Sequence, residues 1–270
     1  MKIAILISGE YRKFDITRKT MTFLDNSDAD IYICTWDKTV YSNNKINFLQ
    51  EHDVNKEIIL KDLGKYANIR IDNHNYIKET KYNCKMIDRW LTGFEMIKNS
   101  GIEYNYVLVL RTDLFFQFIS PPDLKSLEKY DNGIGFAWAT SLHINKLGDI
   151  LFISSYNNMS KLFDSLNIDI WLTDKEYDWH IWWYKFVYNL FPNIINSSEF
   201  DNLTFCRYWA TSDHTFSEVH NIYHDWRDLR LLYEIDLIGT KWLDDGSIWP
   251  AEVISNANTK WDCGYFNKYI

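Results

Sequence analysis

The sequence predicts an α/β protein: a mixed, mostly parallel central sheet flanked by helices, in one domain with an elaborated C-terminal third. Three observations predict it. The short runs Ile3-Ala-Ile-Leu-Ile7 and Tyr106-Val-Leu-Val-Leu110 have the length and continuity of strands buried on both faces. Met86, Trp90, Leu91, Phe94 and Ile97 recur at three- and four-residue intervals, the period of a helix with one buried stripe. The order of segments, strand then helix then strand, is that of βαβ units.

The first strand, Lys2–Ser8, runs into Ser8-Gly9-Glu10-Tyr11-Arg12. Helical spacing over Ile16–Leu24 supplies a crossover to a second strand, Ala29–Thr35, which ends in Trp36-Asp37. Residues 38–66 are polar, with a weak helix or loop around Asn44–His52 and a short strand near Ala67–Ile71. Thr80–Ser100 is the clearest helix, and Gly101 lies just beyond it, as a helix stop should. The central strand Tyr106–Leu110 then ends in Arg111-Thr112-Asp113. Pro121-Pro122 breaks the chain, and Leu124–Lys129 has the makings of a short helix. Gly133–Ala139 and Asp149–Ser154 read as two more strands, joined by a turn through Asn145–Gly148. Asn158–Leu166 and Asp174–Leu190 read as helices, the second dense in aromatics. From Asn193 the pattern weakens, with strands expected at Ile222–Trp226 and Leu231–Ile235. There is no internal repeat or low-complexity linker, so residues 1–270 are read as a single domain with halves 1–116 and 117–270.

Composition narrows the function. With 29 Lys and Arg against 37 Asp and Glu, the net charge is -8 and no basic tract stands out, which argues against nucleic acid. No apolar run approaches the roughly 18 residues of a membrane span. Met1-Lys2 leads straight into a strand-length run without a cleavage-site pattern, so no signal peptide is expected. Cys34, Cys84, Cys206 and Cys263 are scattered singly, without the pairing of a zinc site or a disulfide framework. Together these point to a cytoplasmic protein. Aromatics make up 17% of the chain, including 12 Trp; aromatic faces are platforms for sugar rings, but large cores also consume aromatics, so most of these are expected in the core, with one or two on the Asp174–Tyr184 segment left to stack on a sugar.

The candidate site residues gather at strand ends, where open α/β sheets place their ligands. In Ser8-Gly9-Glu10-Tyr11-Arg12, glycine permits close backbone approach, Tyr11 can stack on a base and Arg12 can fork a phosphate; the alternative is an ordinary turn. Neither a dinucleotide fingerprint nor a P-loop is present. Thr35-Trp36-Asp37 ends the neighbouring strand, and Trp36 either walls a nucleoside pocket or packs beneath the loop. Lys85 and Arg89, four apart, share a helix face: a basic pair in reach of a diphosphate, or a solvated surface. Arg111, Thr112 and Asp113 end an apolar strand, where the carboxylate can hold a divalent cation on a phosphate or cap a turn. Asp149 opens another apolar strand, as an acceptor-hydroxyl ligand, a base or a turn cap. In Asp174–Tyr184, Glu176 and His180 share one face, near Asp178, with Trp179, Trp182 and Trp183 alongside. Such a pair can ligate a metal or relay a proton, although HExxH is absent. His214, His220 and His224, with Asp213 and Asp225, are further candidates for completing a metal shell.

Taken in order, Ile-Leu-Ile-Ser-Gly-Glu-Tyr-Arg at 5–12, Ala29–Asp37, Val107–Phe116 and Asp149–Leu162 resemble GT-A-type nucleotide-sugar glycosyltransferases of bacterial surface polysaccharides and large DNA viruses. The resemblance is closest to the WavE-like lipopolysaccharide-synthesis group and covers about residues 1–190. It implies a GT-A-like fold, with residues 1–116 binding the nucleotide sugar (a UDP-, GDP- or dTDP-sugar) and 117–270 binding a glycan acceptor. It also implies a cytoplasmic setting, the host cytoplasm for a viral chain. In that family a DxD motif at a strand end holds Mn²⁺ or Mg²⁺ on the donor diphosphate. Here Arg111-Thr112-Asp113 lacks the first carboxylate, so Asp113 has to act with a late histidine or waters. By the same resemblance Ser8–Arg12 and Thr35–Asp37 hold the nucleotide, Asp149 and the Asp178/His180 helix face the acceptor, and Asp149 or Asp178 serves as base in an inverting transfer.

The competing reading is a non-catalytic carbohydrate-binding protein that uses tryptophan-rich surfaces. A sugar nucleotidyltransferase is a weaker third, because the chain lacks the glycine-rich, basic N-terminal loop that a triphosphate requires.

Overall fold

The computed structural model describes residues 1–11, 14–18, 21–25, 28–43, 48–74, 82–112, 114–116, 124, 127–136, 147–149, 151–167, 179–196 and 203–205. Its centre is a seven-stranded sheet. The strands are β1 (Ile3–Ser8), β2 (Asp30–Trp36), β5 (Asn68–Asp72), β6 (Tyr106–Leu110), β8 (Ile134–Phe136), β9 (Leu151–Ser155) and β10 (Ile194–Asn196), in the order β10-β8-β9-β6-β1-β2-β5. β1 pairs in parallel with β2 and β6, β2 with β5, and β8 with β10, while β9 is antiparallel to both β6 and β8. This is the mixed, mostly parallel α/β sheet expected of a GT-A-like arrangement. β1 and β6 are buried at every position, as the unbroken apolar runs required.

Period-two alternation sorts the sheet into two faces. Ile3, Ile5, Ile7, Ile31, Ile33, Leu108, Leu110, Leu151 and Ile153 face one core with the short helix α1 (Phe14–Thr17) and α2 (Lys56–Leu63). Ala4, Leu6, Tyr32, Cys34, Val107, Val109 and Phe152 face the other, covered by α3 (Tyr82–Lys98), α4 (Tyr156–Ser165) and α5 (Trp179–Leu190). α3 lies close on β1 and β2 because Gly93 faces them. A Cβ there would fall 2.4 Å from Leu6 Cδ1 and 3.2 Å from Cys34 Cβ.

Two sequence expectations change. Ile16–Leu24 is not one helix but α1 followed by a 3-10 turn at Thr22–Leu24, with Met21 N donating to Arg18 O and Leu24 N to Met21 O. Residues 38–66 hold more structure than their polarity suggested. β3 (Lys38–Asn43) and β4 (Phe48–Asp53) form an antiparallel hairpin, and α2 follows. The signals were present: Asn55 caps α2 by accepting from Ile58 N, and Gly64 ends it in the left-handed region at φ 73°. As expected of most of the aromatics, Trp179, Trp182 and Trp183 are buried, 7%, 2% and 0% exposed, and pack among Trp90, Phe136, Phe152 and Phe186. They are core, so they give no open platform for sugar rings. Two short strands, β7 (Leu114–Phe116) and β11 (Leu203–Phe205), pair antiparallel beyond β6. The strands expected at 222–226 and 231–235 lie outside the described residues. Among the described residues no helix is long and apolar enough to cross a membrane.

Gly93→Val forces α3 off the sheet. It should lower stability by about 1–3 kcal/mol, the usual range for overpacking a filled core, read as a lower Tm in a thermal melt.

Candidate active site

Alternation along the strands builds the site. On the face covered by α3, Leu6 is followed by Ser8, Cys34 by Trp36, and Val109 by Arg111. The apolar face thus ends in three residues with polar groups, just where the helix stops covering it. α3 begins at Tyr82 and sets Lys85 and Met86 above these positions. The result is a small cleft lined by Ser8, Gly9, Glu10, Trp36, Lys85, Met86 and Arg111. It sits at the carboxyl ends of β1, β2 and β6, the edge where α/β sheets bind ligands.

The loop leaving β1 is held by its backbone. Gly9 has φ 114°, which side-chain-bearing residues rarely adopt, and its N–H donates to Cys34 O at 3.2 Å. Glu10 O accepts from Thr112 Oγ1 at 2.6 Å, and Tyr11 O from Thr39 Oγ1 at 2.7 Å. Thr17 Oγ1 in turn donates to Thr112 O at 2.5 Å. Three threonine hydroxyls therefore lace the ends of β1, β3 and β6 together. Thr112, buried, is a tie between strand ends and does not line the cleft. Tyr11 is buried too: its ring packs on Phe14 and its hydroxyl donates to Asp62 Oδ2 at 2.8 Å, so it is not an open stacking platform. Arg12 lies outside the described residues.

At the end of β2, Trp36 is buried and clamped. The Arg89 guanidinium lies 4.9 Å from its ring centroid, and His74 meets it edge-on at 6.1 Å. Asp37 joins neighbouring segments: Oδ1 accepts from His74 N, its N–H donates to Asp72 O and its carbonyl accepts from Val54 N. Thr35 is buried and gives its carbonyl to Arg89 Nη1 at 3.3 Å.

Lys85 and Arg89 do not share a solvated face. Lys85 lines the cleft, but Arg89 is 3% exposed. Its Nη1 donates to Asp72 Oδ2 at 2.6 Å and its Nη2 to Asp88 Oδ2 at 2.5 Å. The reason is register: Asp72 pairs directly with Trp36, so its carboxylate rises on the face that α3 covers. Burial works against the charge on Arg89, yet its neighbours Cys34, Asp88 and Asp72 together more than offset it, and its pKa lies above the usual arginine value. Burial likewise raises the Asp72 carboxyl, but hydrogen bonds from Arg89 and Arg70 overcome this and hold it below the usual carboxylate range. Beside them, burial pushes the Cys34 thiol up to about 12, so it stays protonated.

Because β9 runs antiparallel, its amino end reaches the edge where β6 ends; Leu151 pairs with Leu110. Asp149, two residues earlier, comes to this edge, although it is not among the cleft's lining. It is buried, and Oδ2 accepts from Trp179 Nε1 at 2.8 Å, anchoring the start of α5. His180, next on α5, hydrogen-bonds Leu147 O through Nδ1 at 2.8 Å. Asp113, Glu176, Asp178 and the His214, His220 and His224 group lie outside the described residues.

Among the described residues no group of three or more His, Cys, Asp or Glu is arranged to hold a metal. The cleft sets one carboxylate, Glu10, beside the cations of Lys85 and Arg111. Such a lining suits an anion better than a divalent cation.

No protein-family model matches this sequence, and no curated protein is similar to it in sequence. Among solved structures, the chain is similar to the glycosyltransferase GlyE of Streptococcus pneumoniae TIGR4 at 12% identity and TM-score 0.46, covering 92% of this chain and 64% of GlyE. It thus spans about two thirds of that protein's length. It is also similar to the galactosyltransferase LgtC, solved with donor and acceptor sugar analogs, at 10% identity and TM-score 0.41, covering 90% of this chain and 99% of LgtC. A glycosyltransferase involved in glycosylation of the major capsid of PBCV-1 matches at 12% identity and TM-score 0.35, covering 73% of this chain and 82% of that one.

The depressed Asp72 carboxyl has a signed consequence. A lowered folded-state pKa contributes stability above the unfolded value, and that contribution is lost as pH falls through the folded value. Asp72→Asn should therefore melt lower than the parent at pH 7, with the gap closing below about pH 4, where the parent's carboxylate also protonates. A pH series of thermal melts for both proteins checks this; a gap independent of pH contradicts it.

Proposed function

We propose that this chain is a glycosyltransferase that binds a nucleotide sugar in the strand-end cleft and passes the sugar to a glycan acceptor. The observation that carries the proposal is the cleft. Ser8, Gly9, Glu10, Trp36 and Arg111, all picked out by the order of motifs in the sequence, converge there with Lys85. The donor is a UDP-, GDP- or dTDP-sugar; the WavE-like likeness rests on the motifs alone.

The roles follow from chemistry. Lys85 and Arg111 stabilise the negative charge that builds on the departing diphosphate as the sugar C1–O bond breaks. Glu10 can accept from ligand hydroxyls. Asp113, next to Arg111 and Thr112, is the proposed ligand for Mn²⁺ or Mg²⁺, which would neutralise the leaving diphosphate when bound. In an inverting transfer a carboxylate takes the proton of the attacking hydroxyl. Asp149 is proposed for this, because it reaches the right edge and its Oδ1 is a second acceptor; Asp178 is the alternative.

The carbohydrate-binder reading loses its main support, since the α5 tryptophans are buried.

Two variants test the proposal. Asp113→Ala should abolish donor hydrolysis and transfer while leaving the melting temperature unchanged; full activity in it would sink the mechanism. Asp149→Asn keeps an acceptor for the Trp179 indole but removes the base. It should keep the parent Tm and lose about 100-fold or more in kcat, the usual contribution of a general base. Parent-like kcat would reduce Asp149 to an anchor for α5.

A further inference from the structure

Two side chains lining the cleft carry hydrogen-bonding groups that no atom among the described residues satisfies. Ser8 Oγ and Trp36 Nε1 are both buried, in residues 2% exposed, and neither has a partner among the described residues. Buried groups of this kind are rare, because each carries the full cost of leaving water. Thr17, Thr39 and Thr112 donate to backbone carbonyls. Thr35 Oγ1 and Trp183 Nε1 are also buried without a partner among the described residues, but of the four such groups only Ser8 and Trp36 belong to residues that line the cleft. The pair is also fixed in place. Ser8 ends β1 in register with Cys34, two residues before Trp36, and the Trp36 ring is held beneath Arg89, which Asp72 and Asp88 hold in turn.

The chemistry of the whole lining says what would satisfy them. The indole N–H can only donate, and the serine hydroxyl can donate. Lys85 and Arg111 donate and are cationic. Four donors around one cleft, against a single carboxylate, call for a ligand rich in acceptor oxygens and negative charge. A sugar ring or a base edge offers donors and acceptors in mixture; a diphosphate offers acceptors alone.

We infer that Ser8 Oγ and Trp36 Nε1 are neutral donors to phosphate oxygens of the bound ligand, working beside Lys85 and Arg111, with Arg89 as the residue that positions the Trp36 indole. The inference rests on the nucleotide-sugar reading of this cleft and names the part of the ligand it grips. Because the two donors are buried, the inference requires the lining side chains of Lys85, Met86 or Arg111 to move aside as the ligand's oxygens reach them. Since these donors are unpaired until ligand arrives, they cost the free protein stability and return it on binding.

That gives the two properties opposite signs. Ser8→Ala removes an unpaired hydroxyl, so the ligand-free protein should melt at the parent temperature or above it. The same change should weaken UDP and inorganic pyrophosphate by about 10-fold or more, the range for a hydrogen bond to a charged group. Trp36→Phe should act alike on both probes, and Arg89→Lys should weaken them through a displaced indole. The measurement is titration calorimetry with UDP, GDP, dTDP and pyrophosphate on the full chain, alongside melts without ligand. Affinities within twofold of the parent in Ser8→Ala overturn the inference, as does a lowered Tm with unchanged affinity. Should Trp36→Phe fail to fold, Ser8→Ala decides alone. Binding of pyrophosphate without any of the nucleotides, lost in Ser8→Ala, supports the donors and removes the nucleotide reading. Nucleotide binding untouched by either substitution leaves the reading standing and removes the donors. No binding of any probe by the parent overturns both.

Discussion

The buried guanidinium of Arg89 is the constraint on which the candidate site depends. An isolated buried charge costs several kcal/mol even after relaxation, so it persists only where its partners are fixed. Here they come from three elements: Asp72 from β5, Asp88 from the helix itself and the Thr35 carbonyl from β2. Each is a direction as well as an energy. Together they set where α3 begins over the sheet, which way the Trp36 ring lies and how far the Lys85 turn overhangs the strand ends. Apolar residues in the same place could match the stability, but they would not fix the rotation of α3 in this way. We regard the cluster as a source of specificity in placing the cleft.

The second organising feature is strand direction. Five neighbouring strands are needed to bring the polar ends to one edge, and four of them, β5, β2, β1 and β6, do so by running parallel. β9 reaches the same edge from the opposite direction, so its beginning, not its end, lies there. A residue just before an apolar strand can therefore stand beside residues just after other strands. Asp149 belongs to the cleft's neighbourhood for this topological reason, and its bond to Trp179 ties the aromatic core beneath α5 to that edge.

How much of this was legible in the sequence varies with the kind of signal. Strands buried on both faces announce themselves as apolar runs, and β1, β2 and β6 lie where those runs do. The breaks in the runs located Ser8, Trp36 and Arg111, because a sheet core tolerates polar groups only at its margin. The β3–β4 hairpin was hidden, since its two segments carry no continuous apolar run. Arg89 was misjudged for a different reason. Spacing along a helix says which residues share a face; it does not say what waits opposite. Only the pairing of Asp72 with Trp36 across β2 and β5 reveals that the face meets a carboxylate. The tryptophans were ambiguous for the same reason, as an aromatic stripe reads alike whether it covers a sugar or a neighbouring helix.

The balance of donors and acceptors adds a last step. Most other polar groups at this edge are spent on the fold: Thr17, Thr39 and Thr112 close backbone carbonyls, Asp37 accepts from a loop N–H, and Asp72 and Asp88 neutralise Arg89, while the Thr35 hydroxyl is buried without a partner among the described residues. A fold could have spent Ser8 and Trp36 in the same way, or replaced them by apolar residues at a gain in stability. They stand instead at the mouth of the one α3-covered face, unpaired among the described residues, beside two cations. Selection for stability alone gives no reason to keep such groups, whereas a ligand that brings its own acceptors does. On this view the cleft is tuned by what its surroundings decline to satisfy, and the missing first carboxylate before Asp113 fits the same logic. On the proposed reading Arg111 stands there in its place and would present positive charge to the anion, at a point where a second carboxylate would need a metal to do so.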